Sequence, residues 1–434
     1  MTVSKCVCVM WGVAVAGVAT WSMADAPEVT PSLHAYGVVG VSSADDPAAF
    51  APGGHDPNRD GAPQLQSFEP GLSLRWGEHL QGFATGTTYS DLQDDFQWEW
   101  EEYFLKLTNL PGGIELRGGR MLNRVGVHNP THLHSWTTVD APLPHALFLG
   151  EDGLSTKSGE VNFYVGDRNP LVLTFSFGQR PDHSHAHGHV EEEAHEHEEE
   201  DHHHEEEEGH HHEEEEAHGH EGHDHGEGFQ QLEAFRVQDD VFTAGLRKDV
   251  VLDDFNRWTF AGFGGTGDTE EGEDAWFAGL GVEYQWRENG LEPGGRALRW
   301  RTEVIRFAGK GHAEHGHEEE HGEHEDEDHH EEEHAHGDEH EEETFSVSGQ
   351  GISTELLYEA TPHVHPFGRI DAIASVDALD LPSWIRYSAG VVFPLNHDPG
   401  LYIRVQANAD DRGDEQEQSA WVQLGFSWGG PEVR

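Results

Sequence analysis

Segments of about ten residues with alternating apolar and polar side chains follow one another along most of the chain. Residues 275–287 show this best, because every second residue from Trp276 to Trp286 is apolar while the positions between them include four that are Gly, Glu or Gln. A period of two is typical of a β-strand whose faces meet different surroundings. At a tilt near 45°, the ten steps from Trp276 to Trp286 project to roughly 23 Å, close to the apolar band of an outer-membrane barrel.

Sixteen such segments predict an all-β fold, an antiparallel transmembrane β-barrel of about 16 strands with a range of 14–18. They lie at 33–43, 67–76, 79–89, 97–108, 113–121, 158–167, 170–179, 240–249, 255–266, 275–287, 296–308, 344–358, 366–378, 383–393, 401–410 and 418–428. An even number fits a closed bacterial barrel. A soluble sandwich also explains alternation, but not a Gly-rich polar face that carries both Arg369 and Asp371.

The connections between these segments differ in length in a regular way. Short turns such as Gly77-Glu78 follow even-numbered strands, and the four longest connections follow odd-numbered ones: 44–66, 122–157, 180–239 and 309–343. Outer-membrane barrels have long outward loops and short periplasmic turns. The four long connections are therefore predicted to face outward.

The first 24 residues are predicted to be a signal peptide. Lys5 precedes an apolar run from Val7 to Trp21, which ends in Ser22-Met23-Ala24. The run is shorter than the roughly 20 apolar residues of a membrane anchor. Residues 25–434 would then form the barrel in the outer membrane of a Gram-negative bacterium. Both cysteines lie in the signal, which leaves no disulfide and no thiolate ligand in the mature chain.

Charge and motifs exclude two classes of function. The 434 residues include 84 Asp and Glu against 25 Lys and Arg, a formal net charge of −59. Such a chain is repelled by phosphates, so nucleic acid is excluded as a partner. The chain has no P-loop and no C-x-x-C motif, and we predict that it is not an enzyme.

Two low-complexity tracts hold 26 of the 36 histidines. Residues 181–228 contain 16 His and 20 Asp and Glu, and residues 309–343 contain 10 His and 17 Asp and Glu. Low hydrophobicity and like-charge repulsion predict that both tracts are outward loops and that they are disordered when no ligand is bound.

The tracts are predicted to bind metal loosely, because imidazoles and carboxylates in such density supply many overlapping sets of four ligands. Zn²⁺ is the first expectation, with Cu²⁺ or Ni²⁺ as alternatives, since flexible tracts impose little geometry. The alternative is an anionic brush that only buffers charge. The predicted ligands are His183, His185, His187, His189, His202, His203, His204, His210, His211, His212, His223, His225, His315, His317, His329, His330, His334 and His336.

A second set of candidate ligands lies in the third outward loop, which in many porins folds into the lumen. This stretch is neither periodic nor low in complexity, and it brings five candidates into eighteen residues: His128, His132, His134, Asp140 and His145. They would place metal ligands in the path of a permeating cation. For His132 and His134 alone, a hydrogen-bonded structural loop is an equally good interpretation.

The same segment resembles a family of Gram-negative outer-membrane barrels. The residues that carry the resemblance run from Leu110-Pro111-Gly112-Gly113 through Arg120, Gly126, Asn129, His132, His134, Trp136, Val139-Asp140 and Pro142 to Gly150-Glu151-Asp152-Gly153-Leu154. The family consists of porin-like proteins associated with zinc, and the resemblance implies a metal-related porin. The outward loops are also similar to those of TonB-dependent zinc receptors, but without a plug domain before the first strand.

These observations predict a porin-like channel that captures divalent metal ions on its outward loops and lets them diffuse into the periplasm. Two alternatives stay open: a general or substrate-selective porin, which the lumen arginines Arg369, Arg386 and Arg404 also fit, and a metal-buffering surface protein on a closed barrel. The predicted partners are outer-membrane lipid and divalent metal ions, with a homotrimer and a periplasmic metal-binding protein as further expectations.

Overall fold

The computed structural model describes residues 26–44, 50, 59–90, 96–150, 153–166, 169–181, 229–290, 292, 294–312, 344–397, 400–413 and 415–430. The predicted signal peptide and all the tract histidines named above lie outside these residues. Gly309 to His312, which composition assigns to the second tract, continue a strand and pair with the four residues from Thr344 to Val347.

Within the described residues the chain forms sixteen β-strands. They are β1 (Glu28–Ser42), β2 (Asp60–Trp76), β3 (Leu80–Ser90), β4 (Phe96–Leu110), β5 (Ile114–Leu122), β6 (Ser155–Val165), β7 (Leu171–Gln179), β8 (Asp239–Val251), β9 (Asn256–Asp268), β10 (Asp274–Arg287), β11 (Ala297–His312), β12 (Thr344–Glu359), β13 (His365–Ile373), β14 (Trp384–His397), β15 (Gly400–Arg412) and β16 (Glu415–Gly429).

Each strand pairs antiparallel with its neighbours in the sequence, and β1 pairs with β16, for example Leu33 with Trp428. The sheet is therefore a closed barrel without a free edge. The prediction of an all-β antiparallel barrel of about 16 strands is confirmed. Successive connections lie at opposite ends of the barrel, and the end reached after the odd-numbered strands is called here the long-loop end.

Several strands extend beyond the segments in which apolar and polar residues alternate. β2 begins at Asp60 rather than at residue 67, because Pro63 and Gln64 still pair with β1. Hydrogen bonding between strands does not require apolar side chains, so the ladder continues beyond the apolar band. Turn length is also less regular than predicted, since the turn between β10 and β11 is longer than the connection between β15 and β16.

The outer surface carries the apolar face of the strands. In β10, Leu280 is 71% exposed whereas Phe277 on the inner face is 3% exposed. The large exposed apolar residues include Trp98, Trp100, Tyr103, Trp276, Val422, Leu424 and Trp428. An exposed apolar belt with aromatic residues is the lipid-facing surface of a transmembrane barrel, and this architecture belongs to the bacterial outer membrane.

Helices are few and short in the described part of the chain. There is one α-helix, α1 (Leu143–Phe148), and three 3₁₀ helices, Leu133–Ser135, Phe229–Phe235 and Asp377–Leu379. None of them is long and apolar enough to cross a membrane.

The third outward connection, described at residues 123–150 and 153–154, folds into the lumen. Asn129 ties the two ends of this lumen loop together: its amide donates to the Asn123 and Leu154 carbonyls at 2.8 and 3.1 Å, and its oxygen accepts from the Leu154 amide at 2.7 Å. Gly126 has φ of +69°, where a side chain would collide with the Glu303 carboxylate. The loop can therefore approach the opposite wall closely.

Asp140 fastens the tip of the lumen loop to strands β13 to β15. Its two carboxylate oxygens each lie 2.9 Å from an arginine, Arg369 or Arg386, and none of the three side chains is exposed. Gln406 and Asn408 donate to the same carboxylate at 2.6 and 3.0 Å. Both oxygens of the carboxylate thus help to hold the loop.

Towards the long-loop end, an apolar cluster packs on the inner face of strands β8 to β14. Leu143, Leu147 and Phe148 of α1 are buried in it together with Leu232 of the 3₁₀ helix Phe229–Phe235. Arg236 donates to the Leu147 carbonyl at 2.9 Å and joins the two helices. The chain therefore lies in the lumen directly after the first His-rich tract.

We expect Asp140→Asn to release the lumen loop while the barrel stays closed. Removing one member of a buried ion pair leaves the other charge uncompensated and costs about 3–5 kcal/mol. The variant should be cleaved faster by protease within 123–154 and should show a higher single-channel conductance. Asp411→Asn, at an exposed position of β15, is the matched control. Unchanged proteolysis and conductance in Asp140→Asn would contradict this role.

Candidate metal centre

The lumen loop brings His132 to a wall that carries carboxylates. His132 Nε2 lies 2.8 Å from Glu102 Oε2, and its Nδ1 lies 3.2 Å from Glu101 Oε2. Three ligand atoms, one from each of Glu69, Glu101 and His132, lie within 4.8 Å of one another. We call these residues with Glu102 and His134 the histidine–carboxylate cluster. Of its five members, only the two histidines were predicted from the sequence.

A β-bulge in β4 directs two consecutive glutamates towards the lumen. Thr85 pairs with Glu102 and Gly86 pairs with Trp100, so Glu101 is an extra residue in the ladder. A bulge changes the alternation of side chains. Trp98 and Trp100 face outward before it, and Tyr103 faces outward after it. A strict period of two does not predict this change, and for that reason the two glutamates were missed.

Stacked imidazoles fix the other side of the cluster. The His134 ring stacks on His34 of β1 with 4.1 Å between centroids, and its centroid is 5.8 Å from that of His132. His134 Nδ1 lies 3.5 Å from Glu69 Oε2, while the other oxygen of Glu69 accepts from Ser67 Oγ at 2.5 Å. Residues from β1, β2, β4 and the lumen loop therefore meet at one place.

His128 and His145 lie together elsewhere, against β11. Their ring centroids are 4.6 Å apart, and His145 Nε2 is 2.6 Å from Glu303 Oε1. Burial and the nearby charges of His145 and Arg301 lower the pKa of His128 well below its ordinary value, so this imidazole is neutral at pH 7. The structure thus divides the four predicted histidines of the loop into two pairs.

The fifth predicted ligand, Asp140, lies apart from both pairs in the arginine cluster that fastens the loop. Burial alone raises the pKa of this carboxyl, but Arg369 and Arg386 together hold its pKa well below the ordinary value. Arg404 donates to the carbonyls of Trp136 and Thr138 at 2.7 and 2.8 Å. The three predicted lumen arginines therefore bind the loop.

The lumen loop also borders a cavity of about 470 Å³ on the side of the short turns. Arg124 and Arg301 line it together with Glu283, whose carboxylate accepts from Arg301 at 2.8 Å. Tyr164 and Arg247, near the short-turn ends of their strands, complete this polar wall. Open space thus continues on the short-turn side of the loop.

The sequence matches no known family model and no curated protein. Solved structures do share the fold. OmpTdeltaL8, a loop L8 deletion mutant of OmpT, an outer membrane protein of Vibrio cholerae, is 8% identical with a TM-score of 0.52, over 93% of this chain and 100% of that chain. The outer membrane channel DcaP of Acinetobacter baumannii is 8% identical with a TM-score of 0.52, over 93% and 97%.

An anion-selective porin from Comamonas acidovorans is 9% identical with a TM-score of 0.50, over 93% of this chain and 100% of that chain. At such identities the likeness extends to the fold only. Membership of a zinc-related type therefore stays a prediction, and the chain has the fold of outer-membrane porins.

Proposed function

We propose that this protein is an outer-membrane channel that gathers divalent transition-metal ions, zinc first among them, and passes them through its lumen. The observation that carries the proposal is the histidine–carboxylate cluster, in which the lumen loop adds His132 and His134 to a wall bearing Glu69, Glu101 and Glu102. Imidazole and carboxylate together are the ligands of zinc and similar ions. An acidic wall also favours cations over anions.

The positions where the two tracts join the barrel support capture at the mouth. The first tract is followed by the 3₁₀ helix Phe229–Phe235, and the second tract leads into β12. Phe235 and Phe345 are in contact, with 5.3 Å between ring centroids. The described residues that follow the two tracts thus lie side by side at the long-loop end, where loosely held ions could enter the lumen.

The arginines do not favour the alternative of a general or substrate-selective porin over a metal channel. Arg369 is paired with Asp140 and Asp371, and Arg386 with Asp140 and Asp410, all at 2.7–2.9 Å. Their charge is compensated, so they present no free cationic wall to a permeating anion. A homotrimer and a periplasmic metal-binding partner remain predictions of the sequence.

Replacing every histidine of 182–228 and 313–343 by glutamine, with all acidic residues kept, tests imidazole-based capture. We expect this tract His→Gln variant to lose most weak zinc equivalents in calorimetry and to lose uptake at limiting zinc, while its conductance stays unchanged. A variant in which both tracts are replaced by short Gly-Ser linkers should behave in the same way. If the His→Gln variant kept its zinc equivalents while the linker variant lost them, the tracts would be a charge brush.

Zinc capture should decrease as the pH falls from 7.5 to 5.5. Imidazole must be neutral to bind metal and has an ordinary pKa near 6.5, whereas glutamate stays ionised down to about pH 4.3. Equilibrium dialysis of the folded protein with zinc over this range measures the effect. The tract His→Gln variant should show a much smaller pH dependence. Binding that is independent of pH in the wild type would exclude imidazole ligands.

A further inference from the structure

We propose that Glu69, Glu101 and His132 form a coordination site for one divalent transition-metal ion inside the lumen, with His134 as the adjacent fourth donor. This inference deepens the proposed function and rests on it, since it identifies where a permeating ion is held. It differs from the tract sites because the donors are fixed on strands and on an anchored loop.

His132 is held in the orientation that a metal ligand needs. Glu102 Oε1 accepts from the Leu122 amide at 2.7 Å, which leaves Oε2 facing His132 Nε2 at 2.8 Å. With Nε2–H donating to this carboxylate, the lone pair of Nδ1 faces Glu101. Metal-binding histidines usually have such a carboxylate partner on the second ring nitrogen. We therefore assign Glu102 as the residue that positions His132.

Glu69 is positioned in a similar way. Its Oε1 accepts from Ser67 Oγ, which also lies 3.2 Å from Thr87 Oγ1, and its Oε2 faces His134. His34 limits the rotation of the His134 ring by stacking on it, and is itself hydrogen-bonded to Ser427 Oγ at 2.8 Å. Glu69 and His134 thus each have a partner that fixes their direction.

Charge gives an independent reason for a cation at this place. Glu69 and Glu102 are almost completely buried, and Glu101 is close to the same imidazole. Carboxylates brought this close repel one another unless a positive charge lies between them. A divalent ion bound to Glu69, Glu101 and His132 provides that charge. Glu102 then lies on the other side of the imidazole ring, at Nε2.

The donor set selects the class of ion. One or two imidazoles with two carboxylates suit Zn²⁺ and similar ions, whereas Ca²⁺ and Mg²⁺ prefer oxygen ligands alone. Ligand atoms around a tetrahedral zinc lie about 3.4 Å apart, so small side-chain rotations from the observed positions complete the site. The side chains of Glu101 and His134 are 22% and 15% exposed, which gives the ion access to the lumen.

Titration with Co²⁺, as a visible probe of the zinc site, tests the proposal on the full-length tract His→Gln variant, which lacks the competing tract ligands. We expect one equivalent with d–d absorption bands that excess Zn²⁺ displaces. His132→Gln in this background should abolish the bands. Glu102→Gln should keep them but weaken Co²⁺ binding about 10- to 100-fold, since it alters only the orientation of His132.

His363→Gln is the matched control, because His363 lies exposed in the turn between β12 and β13. It should leave the titration unchanged. Heat-modifiable migration on gels verifies that each variant is a folded barrel. The absence of the Co²⁺ equivalent in a folded barrel, or its persistence in His132→Gln, would overturn the lumen site and identify the cluster as a structural ion-pair network.

Failure of this site and failure of the proposed function are distinguishable. If zinc uptake depends on the tracts but the barrel binds no equivalent of Co²⁺, the proposal of a lumen site is wrong and the proposed function is still supported. A lumen equivalent without any metal binding by the tracts would overturn capture at the mouth and support the site.

Discussion

The buried contact between Asp140 and the two arginines Arg369 and Arg386 is the interaction on which the interior of this barrel depends. A carboxylate and two guanidinium groups are costly to remove from water, and each is stable here only because the others are present. The contact holds the tip of the lumen loop against β13 to β15. It thereby determines what the rest of the loop can reach on the opposite wall.

The pairing of these arginines with carboxylates also affects the electrostatics of the lumen. On one side of the lumen, the charges of Arg369 and Arg386 are paired with the Asp140 carboxylate that holds the loop. On the other side, β2 and β4 place Glu69, Glu101 and Glu102 around His132. One loop therefore separates a neutralised wall from an acidic one. Under the proposed function, this acidic wall would attract cations within the lumen, in a chain whose net charge is −59.

Residues 110–154 show why a sequence can mark an important segment without giving its role. Asn129 joins the ends of the loop, Gly126 allows its approach to Glu303, and Asp140 fastens its tip. All three lie in a stretch without strand periodicity between segments that alternate, and that irregularity identified the loop. Its five candidate ligands nevertheless separate into two histidine pairs and one structural carboxylate, because contacts across the lumen join residues far apart in sequence.

The sequence by itself determined the barrel. A side-chain period of two, an even count of strands and long connections after odd-numbered strands are local properties, and each is visible in the order of residues. Only the tertiary structure decided the candidate site. The bulge at Glu101 reverses the alternation within β4, and closure of the barrel brings β1 beside β2 and β16. Whether His132 faces carboxylates or arginines depends on where the loop crosses the lumen, which distant ion pairs fix.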